Sequence, residues 1–483
     1  MSGAAADERR WVALYVLCVG MLMIVLDVTV VNVALPSIQS DLRFSTSSLA
    51  WVVNAYLISF GGLLLLAGRF GDLIGRRRVF LAGIGLFTTA SLACGLADSQ
   101  SALIVARFVQ GIGGAMTSAV ILGMIVTMFP EPREQAKAIG VYAFVASAGG
   151  SVGLLAGGVI TQSIDWHWIF FVNIPIGIAT AVFAARLLEH DAGIGLHEGA
   201  DVPGAVLITA ALMLGVYTIV KPAAEDGWGA GRTLALGGVS LALLLGFLAR
   251  ESTARKPLVP LRIFRSRNVA SANVIQVLSV AGMFGVFFLG ALYLRRVLGY
   301  DALEIGLAFL PVSVTMGTLS IRYSERLITR FGARNLLAPG LVLIMLALVL
   351  LTQAPVRGSY LAHVLPSMLL LGLGAGVCFP ALMNVAMSGA QPQDAGLASG
   401  LVNTTAQVGG ALGLAVLATL STARSSRLIA QGHATAASLT SGYHLAFWIA
   451  AALTAAALAV VPFVLGEERQ IEREVAANLP AGG

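Results

Sequence analysis

Residues 21–36 read "MLMIVLDVTVVNVALP", an apolar run with a single acid, Asp27. A carboxylate within a membrane-length apolar segment is costly, so it normally faces a cavity, pairs with a partner, or takes up a proton. The run reaches back to Trp11, and Pro36 is read as its end. It is too long for a secretory leader, holds an acid and lacks a small-residue cleavage site.

Similar runs recur as far as Leu465. Of 483 residues, 57% are hydrophobic and 11% charged, with a mean hydropathy of +0.87. A soluble domain carries about 25% charged residues, so there is too little charge here to coat a soluble surface. A soluble enzyme, a secreted disulfide scaffold and a disordered chain are excluded. Glycine, at 55 residues, is abundant, as close helix packing in membranes requires. Cys18, Cys94 and Cys378 lie within apolar segments, with neither pairing nor metal-ligand spacing.

A span needs roughly 20 apolar residues. Fourteen are read, at 11–34, 49–67, 79–97, 101–129, 138–161, 167–187, 204–220, 233–249, 269–292, 305–321, 335–352, 361–385, 396–420 and 443–465. The expected fold is an all-α integral membrane protein. With both termini in the cytoplasm, 21 basic residues fall inside and 8 outside, which satisfies the positive-inside rule. The net charge of +6 is thereby explained by topology, not by nucleic-acid binding. The spans divide as a six-span bundle over 11–190, a two-span insertion over 204–249, a basic cytoplasmic linker over 250–268 broken by Pro257 and Pro260, and a second six-span bundle over 269–466. "GRFGDLIGRRR" (68–78) and "SIRYSERLITRFGAR" (320–334) occupy corresponding connections and echo each other. The tail after Gly466 is short and charged, a solvated helix or a disordered end.

Arg107, in "LIVARFVQGIGGAM", is the basic counterpart of Asp27. Guanidinium keeps its charge, so it needs a partner or water. Asp27 lies about 24 Å along its span from the inner side, and Arg107 about 9 Å from the outer end of a span running the other way. Both fall in the outer half of a ~30 Å core, where a pair or a shared aqueous cavity is possible. The alternative is an arginine snorkelling to the interface. Gln110 follows one turn later on the same face, and Asn32 is placed to share the polar face of Asp27.

"GRFGDLIGRRR" is read as a short cytoplasmic turn. Asp72 can accept from a helix N-terminus or pair with an arginine. A latch between moving helices and a topogenic charge cluster both fit. In "GGSVGLLAGG" (149–158), Gly149, Gly153 and Gly157 recur every four residues, a stripe for sliding or static helix contact. "DWHWIFFVNIPIG" (165–177) puts Trp166, His167 and Trp168 at an outer interface, with His167 read as a solvated interfacial histidine or a proton sensor. Asn403 and Gln407, one turn apart, would line a substrate path or bond neighbouring helices. No phosphate-binding loop, metal-site motif or nucleophile motif occurs. Neither ATP-driven pumping nor an enzyme active site is expected, and no cofactor.

As a set these motifs resemble the major facilitator superfamily, specifically its fourteen-span drug:proton antiporters. "LDVTVVNVALP" (26–36) matches that family's first-span motif. "GRFGDLIGRRR" matches the superfamily loop motif at Gly68, Asp72, Gly75, Arg76 and Arg77, departing at Phe70 and Leu73. "RFVQGIGGA" (107–115) matches the fourth-span motif. The glycine-rich fifth-span motif, which ends in Gly157 and Gly158, has Gly150 and Leu154 where proline is common, which questions its helix bend. His167, and often Ala406, stand where the family has arginine.

The resemblance implies alternating access by two six-helix bundles around a midplane cavity. A lipophilic drug or antibiotic would leave across the cell membrane in exchange for protons, through a chain acting as a monomer amid membrane lipid. Asp27 would carry the proton and Arg107 would govern its affinity. That role requires Asp27 to reach a vestibule between the bundles. Proton-coupled import of a metabolite on the same fold and a non-transporting receptor are the competing readings. A channel is disfavoured, because no charged ring or filter pattern is present.

Overall fold

The computed structural model describes residues 3–191, 193–195, 199–389 and 395–466. The tail expected after Gly466 lies outside the described residues. Among the described residues every regular element is a helix. The first group is α1 (Gly3–Asp41), α2 (Thr46–Ile74), α3 (Arg76–Gly95), α4 (Gln100–Met128), α5 (Pro132–Ser163), α6 (Trp168–Phe171) and α7 (Asn173–Leu187). Next come α8 (Val202–Val220), α9 (Pro222–Glu225) and α10 (Gly231–Thr253). The last group is α11 (Arg267–Arg296), α12 (Ala302–Thr318), α13 (Ser324–Phe331), α14 (Ala333–Leu351), α15 (Leu365–Ser388), α16 (Ala395–Ala430) and α17 (Thr435–Val460). Among the described residues twelve helical segments are long and apolar enough to cross a membrane, and Ala302–Thr318 is a shorter apolar helix.

Each expected apolar run coincides with helix, but the ends differ. Pro36 does not end the first span: α1 continues through it to Asp41. Loss of one backbone hydrogen bond is tolerated where neighbouring helices hold the chain. The motif at 68–78 is not a loop either. α2 runs to Ile74, and the reversal is made by Gly75 alone, at φ +102°, a conformation that glycine adopts without steric cost. Gly332, at φ +77°, makes the same reversal before α14, so the echo between the two segments is structural as well as textual. The basic stretch at 250–268 begins inside α10, and its non-helical part is confined to the residues around Pro257 and Pro260.

Within the first group α4 packs on α2 and α3, while α1 packs on α5 and α7. In the last group α11 packs on α16 and α17, and α14 and α12 pack on α15. The groups meet where α2 lies on α16, α5 on α12 and α1 on α11. α8 lies against α10, α2 and α16. Leu234, Leu241, Leu245 and Leu248 of α10 are exposed, as side chains facing lipid should be.

Small residues permit these close approaches. A Cβ added at Gly111 would fall 2.5 Å from the Tyr56 carbonyl oxygen, and one at Gly113 would fall 2.5 Å from the Phe87 nitrogen. The "QGIGG" segment of α4 therefore lets two other helices touch its backbone. α5 has two such faces. Gly149, Gly153 and Gly157 rest on Leu22, Thr29 and Val30 of α1. Gly158 rests on Ala302 and Leu303 at the start of α12. Gly150 faces Ser313 of α12, and the Leu154 carbonyl lies beside Gly306.

Candidate functional site

The first-span acid and the fourth-span arginine form a buried ion pair. Arg107 Nη1 donates to Asp27 Oδ2 at 2.5 Å, and the two residues are 1% and 2% exposed. The snorkelling alternative does not hold. Interior charges cost several kcal/mol each unless geometry and further hydrogen bonds compensate, and here they do. Gln110 Nε2 donates to Asp27 Oδ1 at 2.7 Å, and Asn173 Nδ2 donates to the same oxygen at 3.3 Å. Both carboxyl oxygens thus face donors, the geometry of an ionised group. Arg107 also donates to Gln110 Oε1 at 2.6 Å and to the Val52 carbonyl at 3.0 Å. Its guanidinium carbon lies 4.4 Å from the centre of the Tyr56 ring, a favourable cation–π placement.

Asp27, Arg107 and Gln110 are therefore brought together as their spacing suggested. Asn173 and Ser91 complete the cluster, and sequence reasoning passed over both. Ser91 Oγ accepts from Gln110 and Asn173 and donates to the Phe170 carbonyl, which the break between α6 and α7 leaves available. The signal for Asn173 was an amide in "FFVNIPIG", a polar residue in an apolar run like Asp27 itself. One acceptor is left over: Asn173 Oδ1 is buried without a partner.

The expected vestibule is not reached in this conformation. Asp27 is sealed, and its hydrogen-bond partners come from α4 and α7. Asn32 does not join the cluster; its amide donates to the Val28 carbonyl of its own helix at 3.0 Å. Asn403 is exposed, and Gln407 packs against Gly61 where α2 meets α16.

Where α2 ends and α3 begins, Arg76 bonds Asp72 at 3.1 Å, the Gly123 carbonyl at 2.8 Å and Thr127 at 3.0 Å, tying α2, α3 and α4 together. Asp72 does not cap α3. Asp191, from the segment after α7, accepts from the backbone nitrogens of Arg76 and Arg77 at 2.5 and 3.2 Å. Arg77 bonds His190 and the Ala185 carbonyl, and Ile194 and Gly195 donate to the Asp72 and Leu73 carbonyls. Gly68 has open room, with Ala119 as its near neighbour. On the opposite side Trp166 is buried, and its ring nitrogen donates to Asp41 at 3.0 Å. His167 stacks on Trp166 and bonds Asp165, while Trp168 remains exposed. Among the described residues no group of three or more His, Cys, Asp or Glu side chains could hold a metal.

A family model described as "Major Facilitator Superfamily" matches residues 17–414. The chain is 37% identical over 468 residues to "Puromycin resistance protein pur8" of Streptomyces alboniger, covering 96% of this chain and 92% of that one. It is 40% identical over 413 residues to "Cephamycin export protein CmcT" of Amycolatopsis lactamdurans, covering 84% of each. A solved peptide transporter of the POT family superimposes with a TM-score of 0.68 at 14% identity, covering 93% of this chain and 94% of that one. A bacterial homolog of the human lysosomal transporter Spinster gives 0.66 at 16% identity, covering 94% and 96%. Those two likenesses concern the fold.

Proposed function

The chain belongs to the major facilitator superfamily, and on that footing we propose that it is a proton-coupled exporter of lipophilic drugs or antibiotics. It is a multi-pass membrane transporter rather than an enzyme. The export reading is carried by the 40% identity, over 84% of both chains, to a protein named for cephamycin export. Proton coupling rests on the buried Asp27–Arg107 pair. No cofactor, nucleotide or nucleic acid enters the cycle, and a single chain is the working unit.

In this reading α5 and α12 join the twelve long apolar segments as spans, fourteen in all, and both termini are cytoplasmic. Residues 11–190 and 269–466 form the two bundles, with 204–249 inserted between them. The bundles rock about the α2–α16 and α5–α12 contacts.

In the present state Asp27 is ionised, paired and closed to water. Proton entry requires a state in which movement of α1 against α4 and α5 opens the cluster. Protonation removes the charge that holds Arg107, and the freed guanidinium retains Gln110 and the Val52 carbonyl as partners. Loss of the proton restores the pair. Gly68, Asp72, Gly75, Arg76 and Arg77 act as the inner latch, supported by the three-helix reach of Arg76. Asn403 and Gln407, on the helix that meets α2, line the substrate cavity together with Asn32 of α1, while Gln110 serves the ion pair.

The test is puromycin flux in inverted membrane vesicles under an imposed pH gradient. Uptake driven by an acidic interior supports export. Transport in the opposite direction supports the import alternative, and no proton-dependent flux across a compound panel supports the receptor.

A further inference from the structure

Asn54 of α2 is 0% exposed, and neither its Oδ1 nor its Nδ2 has a hydrogen-bond partner. Burying an amide without partners is unfavourable, and most buried side-chain polar groups are satisfied. Its position on the helix is informative. Seven residues before Gly61, it falls about 20° around the helix from that glycine, between Gly61 and Leu65. Those two residues face the other group of helices: a Cβ added at Gly61 would lie 2.7 Å from Gln407 Cβ, and Leu65 reaches to Gly400. At the outer end of α2, Thr46 accepts from Arg296 of α11 at 3.2 Å. Asn54 lies between these contacts, on the face that the two groups cover together.

Building on the transport reading, we propose that Asn54 lines the outer half of the substrate route. When α2 parts from the second group, the carboxamide supplies an uncharged donor and acceptor to neutral polar groups of the departing molecule, such as carbonyls, hydroxyls or amides. When the groups close, it loses those partners, as seen here. The amide thereby favours opening and reads uncharged polarity, whereas the ionisable chemistry stays sealed behind α4 and α7.

The experiment uses the full chain with N54C, in right-side-out vesicles, treated from outside with a membrane-impermeant thiol reagent. Cys18, Cys94 and Cys378 are buried, and the chain without N54C sets the background. A second form carries T46H and R296H at the outer contact of α2 with α11, where the native side chains meet at 3.2 Å, and is locked by added nickel(II) bridging the two imidazoles. The expected result is labelling at position 54 in the unlocked chain and labelling at least tenfold slower in the locked one. Equal rates in the two forms, slow or fast, overturn the proposal. N54L gives a second measurement: removing an unpartnered amide should raise the thermal unfolding midpoint, and a lower midpoint contradicts it. Neither readout depends on pH-driven efflux, so failure of the export reading remains distinguishable from failure of this one.

Discussion

Gly153 of α5 lies directly against Thr29 of α1: a Cβ at Gly153 would fall 1.9 Å from Thr29 Oγ1. Thr29 is two residues from Asp27, and its hydroxyl donates to the Val25 and Leu26 carbonyls of its own helix. The glycine stripe thus sets the distance of closest approach to the helix that bears the buried acid. We predict that G153A forces α1 and α5 apart, at about 1–3 kcal/mol, the usual cost of overpacking. T29A combined with G153A should recover most of the loss. Thermal unfolding of the purified chain checks both, and an equal loss in the double variant would exclude this contact as the cause.

Arg107 should be more damaging to remove than the pair is to replace. R107A leaves a carboxylate buried without its charge partner, at about 3–5 kcal/mol. The double variant D27N/R107Q keeps hydrogen-bonding groups at both positions without charge and should unfold at a higher temperature than R107A. The opposite order contradicts a compensated ion pair.

Asp191 caps α3 through the Arg76 and Arg77 nitrogens. D191A should cost about 1 kcal/mol, as loss of a helix cap does, and should increase protease access to the segment after α7. D191N should retain most of the effect. Unchanged proteolysis in D191A would show that the segment is held without the cap, by its backbone bonds to Asp72 and Leu73 and the contact of His190 with Arg77.

In the connection between α5 and α6, Asp165 titrates below its ordinary range. Burial would raise it, but the His167 backbone and ring outweigh that effect. A lowered folded-state value means that its stabilisation is present above the ordinary carboxylate range and is lost as pH falls through the folded value. D165N should therefore reduce thermal stability slightly at neutral pH, with the difference vanishing in acid. A difference that grows in acid contradicts the assignment.

The sequence was legible where one residue's chemistry is at odds with its surroundings. Asp27 and Arg107 declared themselves as charges in oil, and Gln110 followed from helical spacing. Twelve long apolar helices followed from length and apolarity, and Gly75 from its place at a reversal. Asn173, Ser91 and Asp191 were not legible in this way. Each acts through a partner between 19 and 146 positions away, and nothing local marks a serine or an amide as a partner for a distant charge. Pro36 misled because a local rule, that proline stops helices, yielded to tertiary contacts. The sealing of Asp27 was equally hidden, since it depends on donors that two other helices, α4 and α7, supply.

The most direct test of the account is proton-driven puromycin efflux in inverted vesicles carrying Asp27→Asn, compared with the parent chain at equal expression. If Asp27 carries the coupled proton, pH-gradient-driven accumulation falls by at least tenfold, while puromycin still exchanges down its own gradient. Undiminished accumulation under the same pH gradient contradicts it.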